Sequence, residues 1–146
     1  MQNRAGDYID IGVGALIIDT GRVLLVRHRL ERGGFWQGKW ILPGGMLQVG
    51  ETIDEGILRE VAEETGLEVE ITGEAKEPVE RIVTGDGGTE LHVVYIVKTA
   101  RVLGGELSPN SDVGEAVWAA VEDLSDIRDD LHEDTLLILR RYGMIA

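Results

Sequence analysis

Cysteine is absent from the 146 residues of this chain. That excludes a disulfide framework and a thiolate metal site. Long apolar runs are missing too, and no stretch approaches the roughly 18 residues that a membrane helix needs. The first ten residues are polar and acidic, which argues against a secretory signal. Basic residues are scarce: 14 Lys and Arg stand against 27 Asp and Glu, for a formal net charge of −13. Such a balance disfavours avid binding to nucleic acid or to anionic membranes, since both need basic surface. There is no internal repeat and no low-complexity linker. What remains is a chain of one-domain length, with an apolar fraction of 43% that suits a single globular core. A cytoplasmic location is the default expectation.

The charges are unevenly placed. Arg22, Arg27, Arg29, Arg32 and Lys39 fall in one stretch, whereas residues 51–80 are heavily acidic. The two clusters flank one Gly-rich loop, which raises the odds that they meet at a site. A divalent cation there inverts the local field and makes an anionic substrate acceptable.

Residues 9–18 read as a strand, Asp19-Thr20-Gly21 as a turn and residues 22–28 as a second strand paired with the first. Trp40-Ile41-Leu42 is a short apolar run that stops at Pro43-Gly44-Gly45. Thr52 and Glu55 fit a capping box that opens a helix, and Gly66 is placed to end it. Ile57, Leu58, Val61 and Ala62 are expected to form its buried stripe. Residues 67–84 read as a strand broken near Pro78, 91–103 and 116–121 as further strands, and 132–142 as a C-terminal helix. This order suggests an α/β protein, a mixed sheet between helices.

Glu60, Glu63 and Glu64 stand at i, i+3 and i+4, so three carboxylates share one helical face. Unpaired, they repel; a hard divalent cation removes that cost, and carboxylate oxygens are ligands that Mg²⁺ prefers. For three glutamates alone, a solvated acidic face is the better explanation. Arg59 is expected off the centre of that face, in a charge-assisted bond to Glu51 that ties the preceding loop to the helix. Gly44 and Gly45 allow a close backbone approach and offer a carbonyl oxygen.

The wider pattern changes the balance. Residues 45–67 read Gly-x5-Glu-x7-Arg-Glu-aliphatic-x-Glu-Glu-x-Gly-aliphatic. Chance agreement of seven identities and two aliphatic positions is on the order of one in 10⁵. The segment resembles the Nudix box at every position, and residues 38–45 resemble the lead-in of MutT-like members. The resemblance implies an α/β/α sandwich and hydrolysis of nucleoside diphosphates linked to another moiety. It implies Mg²⁺ or Mn²⁺ held by Glu60, Glu63 or Glu64 and by the Gly44 carbonyl, with Glu51 and Arg59 as the supporting ion pair. The expected reaction is attack of water on a phosphorus of the pyrophosphate. Its base is a box glutamate, Glu60 or Glu63, or an acid from a later loop, with Glu115 ahead of Glu90, Glu106 and Asp112. Arg27, Arg29 and Arg32 are candidate phosphate clamps.

Trp36, beside Phe35 in the Gly-rich loop, is a candidate to line the substrate pocket, whereas Trp40 and Trp118 suit the core. His28 ends a strand and could touch substrate, though a structural role suits it better; Tyr95 reads as a core or rim residue. The substrate is a nucleotide or nucleotide sugar, with a MutT-like (oxidised) nucleoside triphosphate and an ADP-ribose-like compound both open. The alternative is a non-catalytic Nudix module that senses a nucleotide. Homodimerisation is a weak expectation from the general frequency of two-fold assemblies.

Overall fold

A computed structural model describes residues 8–29 and 38–146. Arg32 and Trp36 lie outside the described residues. Among the described residues, seven strands and two α-helices follow the order β1 (Asp10–Asp19), β2 (Arg22–His28), β3 (Gly44–Met46), α1 (Ile53–Thr65), β4 (Leu67–Ile71), β5 (Val79–Gly85), β6 (Gly88–Gly105), β7 (Val113–Ala120), a 3₁₀ segment (Val121–Asp130) and α2 (Glu133–Arg141). The sheet runs β4-β6-β1-β2-β7, with β3 added to β1 and β5 to β6. β1 and β6 are parallel and the other paired strands antiparallel.

β1 shows why its sequence is apolar on both faces. Val13, Ala15 and Ile17 point to a cluster with Ile57 and Val61 of α1. Leu16 points the other way, to a cluster with Ile138 and Leu139 of α2. A strand covered on both sides loses the alternation of a half-exposed one. The result is the expected α/β/α sandwich.

The turn after β1 uses Thr20 at φ 51° and Gly21 at φ 74°, both in the left-handed region that a two-residue hairpin turn requires. The β1–β2 hairpin registers only Ile18 with Val23 and Asp19 with Arg22. Beyond that, β2 turns to β7 and β1 to β6 and β3. The apolar run 40–42 is not the third strand; Trp40 and Ile41 make single bridges to Leu131 and Val26. The strand proper is the glycine pair and Met46.

α1 carries the expected capping box. Glu55 N–H donates to Thr52 Oγ1 at 3.1 Å, and Thr52 N–H donates to the Glu55 carboxylate at 2.9 Å. Its buried stripe departs from the expected one. Gly56, Ile57, Val61, Glu64 and Thr65 are buried, while Leu58 is 41% exposed and Ala62 is also exposed. The core-facing row therefore runs 57, 61, 64 and 65, and the helix carries Glu64 inward with it.

Gly66 ends the helix at φ 75°, its N–H bonded to the Ala62 carbonyl at 3.0 Å. A Cβ there meets the Glu106 carbonyl oxygen at 2.8 Å. Gly66→Ala is therefore expected to destabilise the fold by at least about 1–2 kcal/mol, the cost of a left-handed non-glycine residue. In urea this appears as a lower midpoint at unchanged slope. A midpoint equal to wild type refutes the role given to this helix end.

Candidate active site

The site is built where α1 passes β3 and the loop 47–51. Arg59 is its hub. Its Nε donates to Glu51 Oε2 at 3.0 Å and its Nη2 to Glu51 Oε1 at 2.7 Å. Nη2 also reaches the Met46 carbonyl at 3.1 Å. Nη1 donates to Glu60 at 2.9 Å and to Glu63 at 3.2 Å. The pair with Glu51 is as expected. The expectation that Arg59 stays off the centre of the carboxylate face is not met, since its long side chain folds back onto Glu60 and Glu63. Arginine suits this place because its planar fork supplies five donors at once.

The two acids on either side of this guanidinium are shifted in opposite directions. Glu51 falls from an ordinary 4.5 to about 2, first through the Arg59 hydrogen bonds and then through the Gln48 N–H at 2.7 Å. Glu60 is raised, chiefly by burial, with Arg59 opposing and the charges of Glu63 and Glu51 adding to the rise. Glu64 faces elsewhere and accepts the Gly44 N–H at 2.8 Å.

The two glycines of β3 are close-approach residues. A Cβ on Gly44 collides with the Val13 carbonyl oxygen of β1. One on Gly45 falls 2.6 Å from the Glu60 carboxylate. Any side chain there pushes the sheet, β3 and α1 apart.

A cavity of about 370 Å³ opens at this junction. Glu60, Glu64 and the backbone of Gly44 and Gly45 form one part of its wall, and His28, Tyr95, Asp112 and Asp134 form others. Carboxylate and carbonyl oxygens are the donor set of a hard divalent cation. Glu60, whose buried charge is only partly compensated, fits such a role. Among the described residues, no three acids or histidines stand together as a ready metal cluster: Arg59 draws Glu60 and Glu63 to itself while Gly44 holds Glu64.

A family model for the NUDIX domain matches residues 9–142. The chain belongs to the Nudix family. Among its relatives, the nucleoside triphosphatase NudI of Enterobacter sp. (strain 638) is 29% identical over 135 residues, 89% of this chain and 94% of that protein. The ADP-ribose pyrophosphatase of Methanocaldococcus jannaschii is 31% identical over 132 residues, 90% of this chain and 73% of that one. The MutT NUDIX hydrolase of Burkholderia pseudomallei superposes with a TM-score of 0.73 at 27% identity, covering 91% and 97% of the two chains.

In this Nudix hydrolase the residues anticipated outside the box are arranged differently from the expectation. Glu115 does not line the cavity. It lies opposite Arg27 in the β2–β7 register and accepts from Arg27 Nη2 at 2.7 Å. Arg27 also stacks on Trp40, 4.4 Å from the ring centre. Arg29 is turned to the Ser111 carbonyl at 2.9 Å. Of the later acids weighed as a base, Asp112 reaches the cavity, and His28 lines it too. Asp134, Thr135 and Tyr95 were not foreseen there. A usable signal existed for Tyr95: it alternates onto the same face of β6 as Val93, and it pairs with Gly12 of β1, where Gly12 and Gly14 leave room for its ring.

The shift of Glu51 makes a pH prediction. Its folded value is depressed, so its pairing with Arg59 stabilises fully above about pH 4.5 and is lost as pH falls towards about 2. The melting-temperature gap between wild type and Glu51→Gln is therefore expected to be constant near neutrality and to close through that acid window. A gap that stays open at pH 2 contradicts the ion pair as its source.

Proposed function

We propose that this chain is a divalent-metal-dependent pyrophosphatase acting on a nucleotide, either a nucleoside triphosphate or an ADP-ribose-like sugar nucleotide. The observation that carries this reading is the convergence of Glu60, Glu64, Gly44 and Gly45 on one cavity, with the adjoining loop tied to α1 by Arg59 and Glu51. The named activities of the relatives, on nucleoside triphosphates and on ADP-ribose, support the substrate class. Every box carboxylate is present, so the non-catalytic sensor is less well supported. Cytoplasmic location goes with such a substrate.

Glu60 and Glu64, with the Gly44 carbonyl, are the residues to hold the cation, and Glu63 stands at the more exposed edge, with its side chain 49% exposed. A bound Mg²⁺ or Mn²⁺ neutralises phosphate charge and makes its bound water more acidic. Glu51 and Arg59 keep the loop and helix in register. Asp112 is the acid we assign to receive the proton of the attacking water, in place of Glu115, which is committed to Arg27. The role of phosphate clamp rests with Arg27 and Arg29, if they leave their present partners, and with Arg32.

Two outcomes test this reading. Glu60→Gln and Glu64→Gln are expected to lower kcat by about 100-fold or more in Mg²⁺, measured as nucleotide product release, with melting temperatures near wild type. Glutamine at 64 still accepts the Gly44 N–H, so the fold survives. Near-normal turnover, or turnover that persists in EDTA, sinks the metal assignment. Asp112→Asn is expected to lower kcat by about 10²–10⁴, the usual weight of a general base, and Glu115→Gln by less than about threefold. The reverse order returns the base to Glu115.

A further inference from the structure

The segment between β6 and β7 brings Asp112 to the cavity wall, and its backbone is fastened from two sides. On one side stand the last carbonyls of α1. Ser108 N–H donates to the Thr65 carbonyl at 2.8 Å, and Asn110 N–H to the Glu64 carbonyl at 3.0 Å. These acceptors have no partner within their own helix, since every helix leaves its last carbonyls over. Glu64 lines the cavity and therefore anchors the loop as well.

On the other side stands Arg29, just past the end of β2. Its backbone N–H donates to the Asp112 carbonyl at 2.8 Å, and its Nε donates to the Ser111 carbonyl at 2.9 Å. Both peptides that flank Asp112 are thus held by one residue. Gly114 makes room for it, because a Cβ there meets Arg29 Cγ at 3.3 Å. Gly114 is also the residue left over where the β2–β7 register slips, with Arg27 opposite Glu115 and His28 opposite Val113.

The held turn is strained. Ser111 sits at φ 58°, in the left-handed region that a residue with a Cβ enters at a cost. Such a conformation persists when its surroundings determine it. Val113 N–H closes the turn on the Asn110 carbonyl at 3.1 Å, and Arg29 Nε fixes the strained residue's own carbonyl. Without that bond the peptide joining Ser111 to Asp112 can turn, and the Asp112 carboxylate moves with it.

We propose that Arg29 is a positioning residue, which sets the Asp112 carboxylate at a fixed place relative to Glu60 and Glu64. This rests on the reading of Asp112 as the base. To clamp a phosphate, the Arg29 side chain must release the loop, so the two roles have different kinetic signatures. Displacing a reacting group by about 1 Å costs up to about a hundredfold in rate, whereas losing a clamp that binds ground and transition states alike raises KM.

The test is steady-state kinetics in Mg²⁺, on whichever of ATP, GTP and ADP-ribose turns over fastest. Arg29→Met is expected to lower kcat by about tenfold or more, with KM within about threefold. Arg29→Lys is expected to do the same. Lysine carries a methylene where arginine carries Nε, so it does not restore the bond, although its charge still serves a phosphate. In an Asp112→Asn background, Arg29→Met is expected to change kcat by less than about twofold, because the group that it positions is already gone. An unchanged kcat, a rise in KM that lysine rescues, or a full further loss in the double variant overturns the proposal. Asp112→Asn with wild-type turnover ends the base assignment, and this proposal with it. Hydrogen exchange reads the loop without the chemistry: Arg29→Met is expected to speed exchange of the Asn110 and Val113 N–H groups by about tenfold and to leave the middle of α1 unchanged. Faster exchange in a protein that turns over none of the three substrates supports the hold on the loop and ends the hydrolase reading. Unchanged exchange overturns the proposal.

Discussion

The guanidinium of Arg59 is the contact on which the site geometry depends. Glu51, Glu60 and Glu63 all lie within hydrogen-bond distance of it. Without it, three carboxylates crowd one corner of a net-acidic molecule. With it, the loop 47–51 is fastened to α1 at two oxygens of Glu51 and at the Met46 carbonyl, and β3 is fixed with it. A lysine at 59 has no planar fork and cannot hold the loop and the helix acids together. The same cation produces opposite shifts in two neighbours because burial differs in weight. Glu51 accepts two arginine bonds and a backbone N–H, so its charged form wins. Glu60 accepts one, and desolvation wins.

The second constraint is steric. β1, β3 and α1 approach so closely that the chain between them is reduced to backbone at Gly44 and Gly45. That closeness brings a helix carboxylate, Glu64, to a strand N–H, and another, Glu60, to the strand edge. Gly66 lets α1 stop at once and the chain enter β4. These glycines serve three different needs, and only the one at 66 is a matter of backbone dihedral angle.

The local features were legible in the sequence. The capping box, the helix stop, the turn at Thr20-Gly21 and the Glu51–Arg59 pair each depend on residues a few positions apart. The α1 stripe was misread because hydrophobicity ranked Leu58 and Ala62 above Glu64. What buries Glu64 is an N–H donor 20 residues away, and no helical pattern contains it. Nor does any local pattern show that Glu115 is engaged by Arg27 while Asp112 lines the cavity. The β2–β7 register slips between Arg27 and His28, so Arg27 faces Glu115 while His28 faces Val113. Asp134 depends on Arg81, 53 residues distant, and carries no local mark.

The cavity manages its charges differently in its two regions, and this bears on how a cation is held. Asp134 is held by an arginine on one oxygen. Glu60 and Glu63 share one nitrogen of Arg59, while Nε and Nη2 hold Glu51 and Met46. The Nη1 contacts are thus separable from those that fasten the loop. A cation that takes Glu60 costs Arg59 one arm and leaves the loop in place. The burial that raises Glu60 also favours an exchange of a single hydrogen bond for a divalent charge. Under the proposed metal assignment, Arg59 is both the fastening of the loop and the cation's competitor for the acidic wall.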